Sequence, residues 1–546
     1  MSMEGTTQGD PLAMPFYGLS VAPLIQLLRS LEAEVDQVWL ADDATGGGTL
    51  ENLKAWWDRV IVEGKKFGYH VNESKSWLIL KRDTDLERAK LVFSSDKINF
   101  STDGQRRLGA VLGSESFKKE YVSQKVQKWC DEISKLSEFA KSQPHAAFCA
   151  YLHCEQHKYR YIMRTIDGIS DCMKPLDDII NNIFIPAVTG FAVDDSERYL
   201  LSLPISSGGL GIQVPSAMCE EQYQMSRQIT APLAMIIVAQ ETHLPAKALV
   251  DDGKQAARQA KVQKRQAMIE QGHSALTNNL KQIVEQTKQP GASSWLSALP
   301  LEKHNFNLNK GEFRDALALR YGKHLDDLPA VCACGSAFDP VHAMNCKKGG
   351  LVIVRHNNIR DYEAKLLSLV CKDVEIEPKL QSISNEQFSH STDSSDNSHP
   401  DIRARGFWRM GQNSFFDVMV TNANSASQID TGLQSILKKH EQSKKRKYNE
   451  RIMHVEFGSF TPLIFSVFGS MGPETTAFHK MLAKKIADKN GEKYCHVITY
   501  IRSKLSNLAL RSSLLCLRGS RSAGLPRGAP VDGVDDFEVG TVELRV

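Results

Sequence analysis

Three groups of residues in this chain have the types and spacing to do chemistry: Asp42-Asp43, the set Cys332, Cys334, His342 and Cys346, and the pair Asp401 and Asp417. Asp42-Asp43 follows the strand-like run Gln37-Val38-Trp39-Leu40-Ala41 and precedes Thr45-Gly46-Gly47-Gly48, which predicts two carboxylates at a hairpin tip. Two Mg²⁺ (or Mn²⁺) ions about 4 Å apart would neutralise such a pair and clamp the attacking and leaving oxygens of a phosphoryl transfer. Taken alone, the dipeptide also describes a solvated turn.

The cysteine–histidine set spans fifteen residues, from Cys332 to Cys346. Three thiolates and one imidazole can close a tetrahedron around Zn²⁺, although one residue between Cys332 and Cys334 is tighter than the usual two to four. The other reading is two buried cysteines near an unrelated third and a surface histidine. Asp401 lies in Pro400-Asp401-Ile402, and Asp417 lies in the apolar run Phe415-Phe416-Asp417-Val418-Met419-Val420. Carboxylates on two neighbouring strands of one hairpin can converge on one divalent ion. Singly, Pro-Asp is a frequent turn, and Asp417 could be a structural hydrogen-bond acceptor.

The elements that must position these residues follow from texture. A helix is expected from about Leu12 to Leu31, with Asp10 as N-cap and Pro11 in its first turn. Residues 1–125 mix Gly-rich turns with strand-like runs, including Ser76–Leu80. Residues 126–330 read as helical, with a long polar stretch from Gly253 to Gln289 and a Gly-rich turn at Ser206–Ile212. Residues 331–354 hold the Cys/His module. In residues 355–518 a helix over Ile359–Val370 is followed by β-rich segments at Val374–Pro378, Ser414–Thr421 and Arg451–Ser470, and by a helix over Glu474–Asp488. The segment 519–546 reads as disordered. The expected fold class is α+β and multidomain.

Hydrophobic residues make up 42% and charged residues 24%, so the chain can bury several cores; a net charge of +3 gives no global field toward nucleic acid. No apolar run is long enough for a membrane span, and Met1–Asp10 lacks a signal-peptide pattern. Eleven scattered cysteines fit a reducing compartment, nuclear or cytoplasmic.

In order along the chain, Gly5-x-x-Gln8-Gly9-Asp10-Pro11-Leu12, Leu40-Ala41-Asp42-Asp43, Gly68–Ser76 and Leu108–Gly113 resemble the palm of a reverse transcriptase. The stretch Cys-x-Cys-Gly, His-Ala-x-x-Cys-x-x-Gly-Gly and Arg355-His356-Asn357 resembles the segment between polymerase and nuclease in non-LTR (LINE-type) retrotransposons. The order helix, strand, Pro-Asp strand, Asp strand resembles the PD-(D/E)xK, restriction-like endonuclease fold. The resemblance covers nearly all the chain except its tail. It implies a partial palm, a helical thumb and linker, a zinc module and a restriction-endonuclease-like domain.

By that resemblance Asp42 and Asp43 bind catalytic Mg²⁺, Gly5, Gln8 and Gly9 lie near the incoming dNTP and template, and Lys75 acts as general acid. Asp401 and Asp417 hold the nuclease Mg²⁺, and Cys332, Cys334, His342 and Cys346 hold Zn²⁺. The family's usual lysine, two positions after the second acid, is Met419 here. The next helix offers Lys444, Lys445 and Lys447; a Lys-Tyr segment in the resembled nucleases singles out Lys447, against the readings of a solvated face or a nuclear-import patch. The implied partners are an RNA template, a DNA target and primer, and dNTPs, in target-primed reverse transcription. A third metal-binding aspartate and the fingers precede these motifs in that family, so polymerase inactivity is expected of this chain in isolation. A non-catalytic nucleic-acid-binding protein and a nuclease-only protein remain as alternatives.

Overall fold

The computed structural model describes residues 10–81, 85–241, 243, 245–274, 276–425, 428 and 431–521. Gly5, Gln8 and Gly9 lie outside them, as do residues 522–546 of the expected tail. The fold is mixed α+β, mostly helical with small sheets, and its contacts divide it into two compact units. The first comprises residues 1–130, 158–177 and 215–265; the second comprises 131–157, 178–214 and 266–546. The helical middle therefore contributes to both, and the Cys/His module shares a unit with the C-terminal sheet.

In the first unit, helix α1 (Ala13–Leu31) buries Val21, Leu24 and Leu28, a spacing of three and four residues that puts them on one face. Asp10 accepts the Leu12 N–H at 2.8 Å, but the N-cap itself is Leu12, two residues further on than expected. Strands β1 (Asp36–Leu40) and β2 (Asp43–Gly47) form an antiparallel hairpin with Leu40 opposite Asp43. Helix α2 (Leu50–Gly64) begins where the Thr49 side chain accepts the Asn52 N–H. It packs Trp56 and Val60 with Leu24, Leu28 and Val35. A Cβ on Gly46 would lie 3.0 Å from the Trp56 ring and 3.1 Å from Val35, so this glycine lets the helix approach the hairpin.

Strand β3 (Trp77–Ile79) pairs parallel with β4 (Asn99–Ser101). Strands β5 (Gly104–Arg107) and β6 (Ala110–Gly113) make a second hairpin whose turn residues, Leu108 and Gly109, have φ of 49° and 82°. Two left-handed residues give the turn twist that suits a tight hairpin. The Tyr121 and Tyr161 hydroxyls donate to the carbonyls of Gly109 and Leu108.

The second unit carries the Cys/His module and a four-stranded sheet. Of the segment read as a polar stretch, the helix Lys247–Ser274 belongs to the first unit up to Arg265, and the helix Asn278–Thr287 to this one. The Gly-rich segment is a turn, as expected: a Cβ on Gly209 would collide with the Leu203 carbonyl. Helix α3 (Pro340–Asn345) lies in the Cys/His module, and α4 (Leu351–Ser368) leads into the sheet. The sheet contains β7 (Lys372–Ile376), β8 (Ile402–Arg405), β9 (Asn413–Thr421) and β10 (Ser459–Ser466), in spatial order β10-β9-β8-β7. Strands β7, β8 and β9 are antiparallel neighbours, whereas β9 and β10 are parallel and joined through α5 (Leu433–His454). The β-rich reading of Arg451–His454 is thereby corrected, because those residues complete α5 with Arg451 and Ile452 on its buried face.

Helices α6 (Pro473–Asn490) and α7 (Tyr494–Arg518) complete the packing. Strands β9 and β10 are buried almost end to end, as expected of strands covered on both faces. The edge strand β7 is charged and exposed instead; Asp373 and Glu375 pair with Arg405 and Arg403 of β8 at 2.5 Å. The core joins α4, α6 and α7 to the sheet through Leu366, Phe407, Phe416, Phe478, Leu482 and Ile501. Of the segment expected to be disordered, Gly519–Arg521 is structured, with the Arg521 guanidinium 4.8 Å from the Phe338 ring centroid.

Phe478 has no exposed surface and lies 4.9 and 5.0 Å, centroid to centroid, from Phe407 and Phe416. Phe478→Ala is expected to destabilise this unit by about 3–5 kcal/mol through lost transfer energy and a residual cavity. Urea unfolding of the two proteins measures the difference.

Candidate functional sites

The hairpin β1–β2 places Asp42 in its two-residue turn and Asp43 at the first position of the returning strand. Ala41, with φ 53°, makes the reversal possible. Both aspartates are exposed. The Tyr69 hydroxyl donates to the Asp42 carbonyl at 2.9 Å and fixes the turn. Burial first, then the charges of its neighbours including Asp42 and Asp43, pushes the Tyr69 hydroxyl up to about 12. Tyr17 of α1 is also raised, by burial and by Asp42. The turn is thus a local focus of negative charge held over aromatic side chains. Lys75 is exposed in a 3₁₀ turn, Glu73–Lys75, just before β3.

The Cys/His quartet is assembled by two short elements. Cys332 and Cys334 lie in a turn in which the Cys332 N–H donates to Ser336 O at 2.8 Å, the Gly335 N–H donates to Cys332 O at 2.8 Å, and Gly335 has φ 88°. His342 and Cys346 are four residues apart at α3, so they share one face. Asp339 caps that helix by accepting the His342 N–H at 2.6 Å, and Pro340 occupies the first position, where its missing N–H costs nothing.

The four donor atoms lie within 4.8 Å of one another. Cys332 Sγ and Cys346 Sγ are 3.7 Å apart, and Cys334 Sγ is 3.3 Å from His342 Nε2. Zn–S bonds of about 2.3 Å at tetrahedral angles imply S···S of about 3.8 Å and S···N of about 3.5 Å. A disulfide would need about 2.05 Å. The quartet therefore fits a four-coordinate ion such as Zn²⁺, with Cys332 and Cys346 buried and Cys334 toward solvent. The backbone and hydroxyl of Ser336 hold the Cys334 thiol down to about 6, while burial raises that of Cys346. Among the described residues this is the group of three or more metal-binding side chains close enough to share an ion.

The third site stands on the sheet. Ile402 pairs with Phe416 across β8 and β9, so the same register sets Asp401 opposite Asp417. Residues directly opposite one another share a face. Asp417 is 3% exposed in the middle of an apolar strand, and its partner across β10 is Pro462. Lys444 of α5 reaches it, with Nζ 2.5 Å from Oδ2. Asp401 receives the Val418 N–H on Oδ2 at 2.6 Å and faces His356 Nε2 of α4 at 3.0 Å on Oδ1. Burial raises the Asp417 carboxyl above the ordinary range; Lys444 opposes that shift and the neighbouring Asp401 adds to it.

Lys447, the lysine singled out by resemblance, pairs instead with Asp393 at 3.5 Å and stacks on the Tyr448 ring at 4.6 Å. The helix period gives the reason. Leu437, Glu441, Tyr448 and Ile452 are buried on α5, and Lys444 falls within their stripe. Lys447 is rotated roughly 60° away from Lys444, at three residues and 100° each. In the sequence His356 stands out only within Arg355-His356-Asn357, and nothing in its neighbours announces the carboxylate it meets. The structure brings Asp401, Asp417, Lys444 and His356 together and places Lys447 at their margin.

No protein-family profile matches the chain. No curated protein sequence matches it either.

Two outcomes follow from these geometries. The purified protein should hold one equivalent of Zn²⁺ by native mass spectrometry, and Cys346→Ser should weaken zinc affinity by more than roughly 100-fold, since even residues outside the coordination shell are worth 10–100-fold. For Asp417, a folded-state pKa above the unfolded value contributes stability that is present at low pH and lost as pH rises through the folded pKa. Asp417→Asn should remove that dependence, so that its stability relative to the parent improves as pH rises above about 4. Urea unfolding across a pH series reads the effect.

Proposed function

We propose that this chain is a nucleic-acid-processing protein of the retrotransposon reverse-transcriptase kind, whose own activity is metal-dependent cleavage of DNA by the C-terminal sheet domain. The observation that carries the reading is the opposed pair Asp401 and Asp417 with Lys444 on the buried carboxylate. A divalent cation held by the two aspartates would supply charge neutralisation and water activation at a scissile phosphate. Lys444 would then offset negative charge developing on the phosphoryl oxygens. His356 would hold Asp401 in position from α4, and the Val418 N–H fixes the other oxygen. Hydrolysis that breaks the P–O3′ bond leaves a 3′ hydroxyl, the end that a polymerase extends.

In the same proposal Asp42 and Asp43 are the corresponding carboxylates of a polymerase centre, with Mg²⁺ as their cation. Two exposed carboxylates alone are a weak cation site, whereas Asp401 and Asp417 stand opposite one another on the sheet with Asp417 buried. Nuclease chemistry rather than cDNA synthesis is accordingly assigned to the isolated chain. The zinc module, directly before α4, would fix the first helix of the nuclease domain. A second reading, binding of nucleic acid without cleavage, draws support from the side chains already paired with both aspartates, His356 with Asp401 and Lys444 with Asp417.

Nicking of supercoiled plasmid in Mg²⁺ or Mn²⁺ separates these readings. The parent should nick, and Asp401→Ala and Asp417→Ala should each lose on the order of 10²–10³-fold or more. Lys444→Ala should fall much further than Lys447→Ala. Nicking that persists in both aspartate variants defeats the nuclease assignment, and DNA binding without nicking in the parent selects the second reading.

A further inference from the structure

A cleft of about 760 Å³ lies within the second unit, between α7, the middle of α4 and the segment 302–315. Five cations line it, Lys303, Lys365, Lys504, Arg511 and Arg518, against the carboxylates Glu312, Asp315 and Asp327. The carboxylates are already committed in part. Asp315 forms a two-pronged pair with Arg518, and Glu312 closes the capping box of the helix Lys310–Tyr321. Lys504 and Arg511 donate instead to the main-chain carbonyls of His304 and Asn307, neutral acceptors that leave their charge uncompensated.

The cations stand close enough to act on one another's titration. Burial, then Lys365 and Arg511, pushes the Lys504 ammonium below its ordinary range. Burial, then Lys303 and Lys504, lowers His304; burial, then Arg511, lowers His145 to about 4. Four lining side chains also hold a buried polar atom with no partner: His304 Nε2, Tyr362 Oη, Asn507 Oδ1 and Arg511 Nε. The Tyr500 ring, edge-on to His304 at 5.7 Å, completes the wall.

We propose that this cleft binds single-stranded nucleic acid, its cations taking successive phosphates and Tyr500 taking a base. Lys504 and Arg511 are seven residues, about 10.5 Å, apart along α7, too far for one phosphate and suited to a strand. Cationic grooves with an aromatic platform bind single strands without reading their sequence. The cleft goes beyond the cleavage reading and stands whether or not Asp401 and Asp417 cut DNA, because none of its lining residues belongs to that cluster.

Photocrosslinking tests the cleft directly on the full zinc-loaded chain, without Mg²⁺. A thymidine hexamer carrying 5-iododeoxyuridine is irradiated with the protein, and the crosslinked peptides are mapped by mass spectrometry. The expected result is a crosslink at Tyr500 that falls at least ten-fold in the double variant Lys504→Met, Arg511→Met, which keeps the apolar stems. Lys303→Glu, at an exposed position, should weaken the same crosslink and reduce the salt dependence of hexamer binding by about 0.7 in log–log slope. Crosslinks confined to other peptides, or unchanged yield at Tyr500 in both variants, would overturn the proposal. Competition by thymidine monophosphate as effective as by the hexamer would overturn the assignment to a strand.

Discussion

Burying a carboxylate is costly, and in the C-terminal domain the sheet does so in the middle of an apolar strand at Asp417, as α4 does at Glu363 against His479. Asp417 sits between Phe416 and Val418 with 3% of its surface exposed. An isolated buried charge is strongly disfavoured, so the surrounding elements must supply compensation. Lys444 supplies it from α5, and the opposing Asp401 is in turn tied to α4 through His356 and to β9 through Val418. Four elements are thereby aligned on one point of the sheet. A fold seeking only stability would replace this cluster with apolar side chains, which are often as stabilising. The cleavage proposed above would account for its presence.

The Cys/His quartet acts on the same domain from its other end. The turn 332–335 and helix α3 are too short to hold themselves together, and Gly349 and Gly350, both at positive φ, link them to α4. A bound ion would join the turn to the helix and so define where α4 starts. That would settle the position of His356, five residues into α4, relative to Asp401. Metal binding at one site and carboxylate geometry at the other would in this way be mechanically related.

Much of this was legible in the sequence. Alternation and turn residues placed the hairpin at Asp42-Asp43, the quartet's spacing announced its cluster, and the apolar runs of β9 and β10 read as buried strands. Local patterns did not yield the long-range choices. The resemblance singles out Lys447 as the nuclease lysine, whereas the inward stripe Leu437, Glu441, Lys444, Tyr448 sets Lys444 on Asp417. His356 lies 45 residues from Asp401, and only the packing of α4 against the sheet joins them. The end of α5 was mistaken for strand because Ile452, Val455 and Phe457 look β-like, whereas the buried face of the helix decides the matter. The cations of the α7 cleft come from segments some 200 residues apart, so no window of sequence displays them together.

Cation capture by the buried pair is the central claim, and Mn²⁺ titration followed by electron paramagnetic resonance tests it most directly. With zinc already bound, the parent should sequester a Mn²⁺ ion that Asp417→Asn releases and that Asp42→Asn with Asp43→Asn leaves in place. Equal Mn²⁺ binding by the parent and Asp417→Asn would contradict the account.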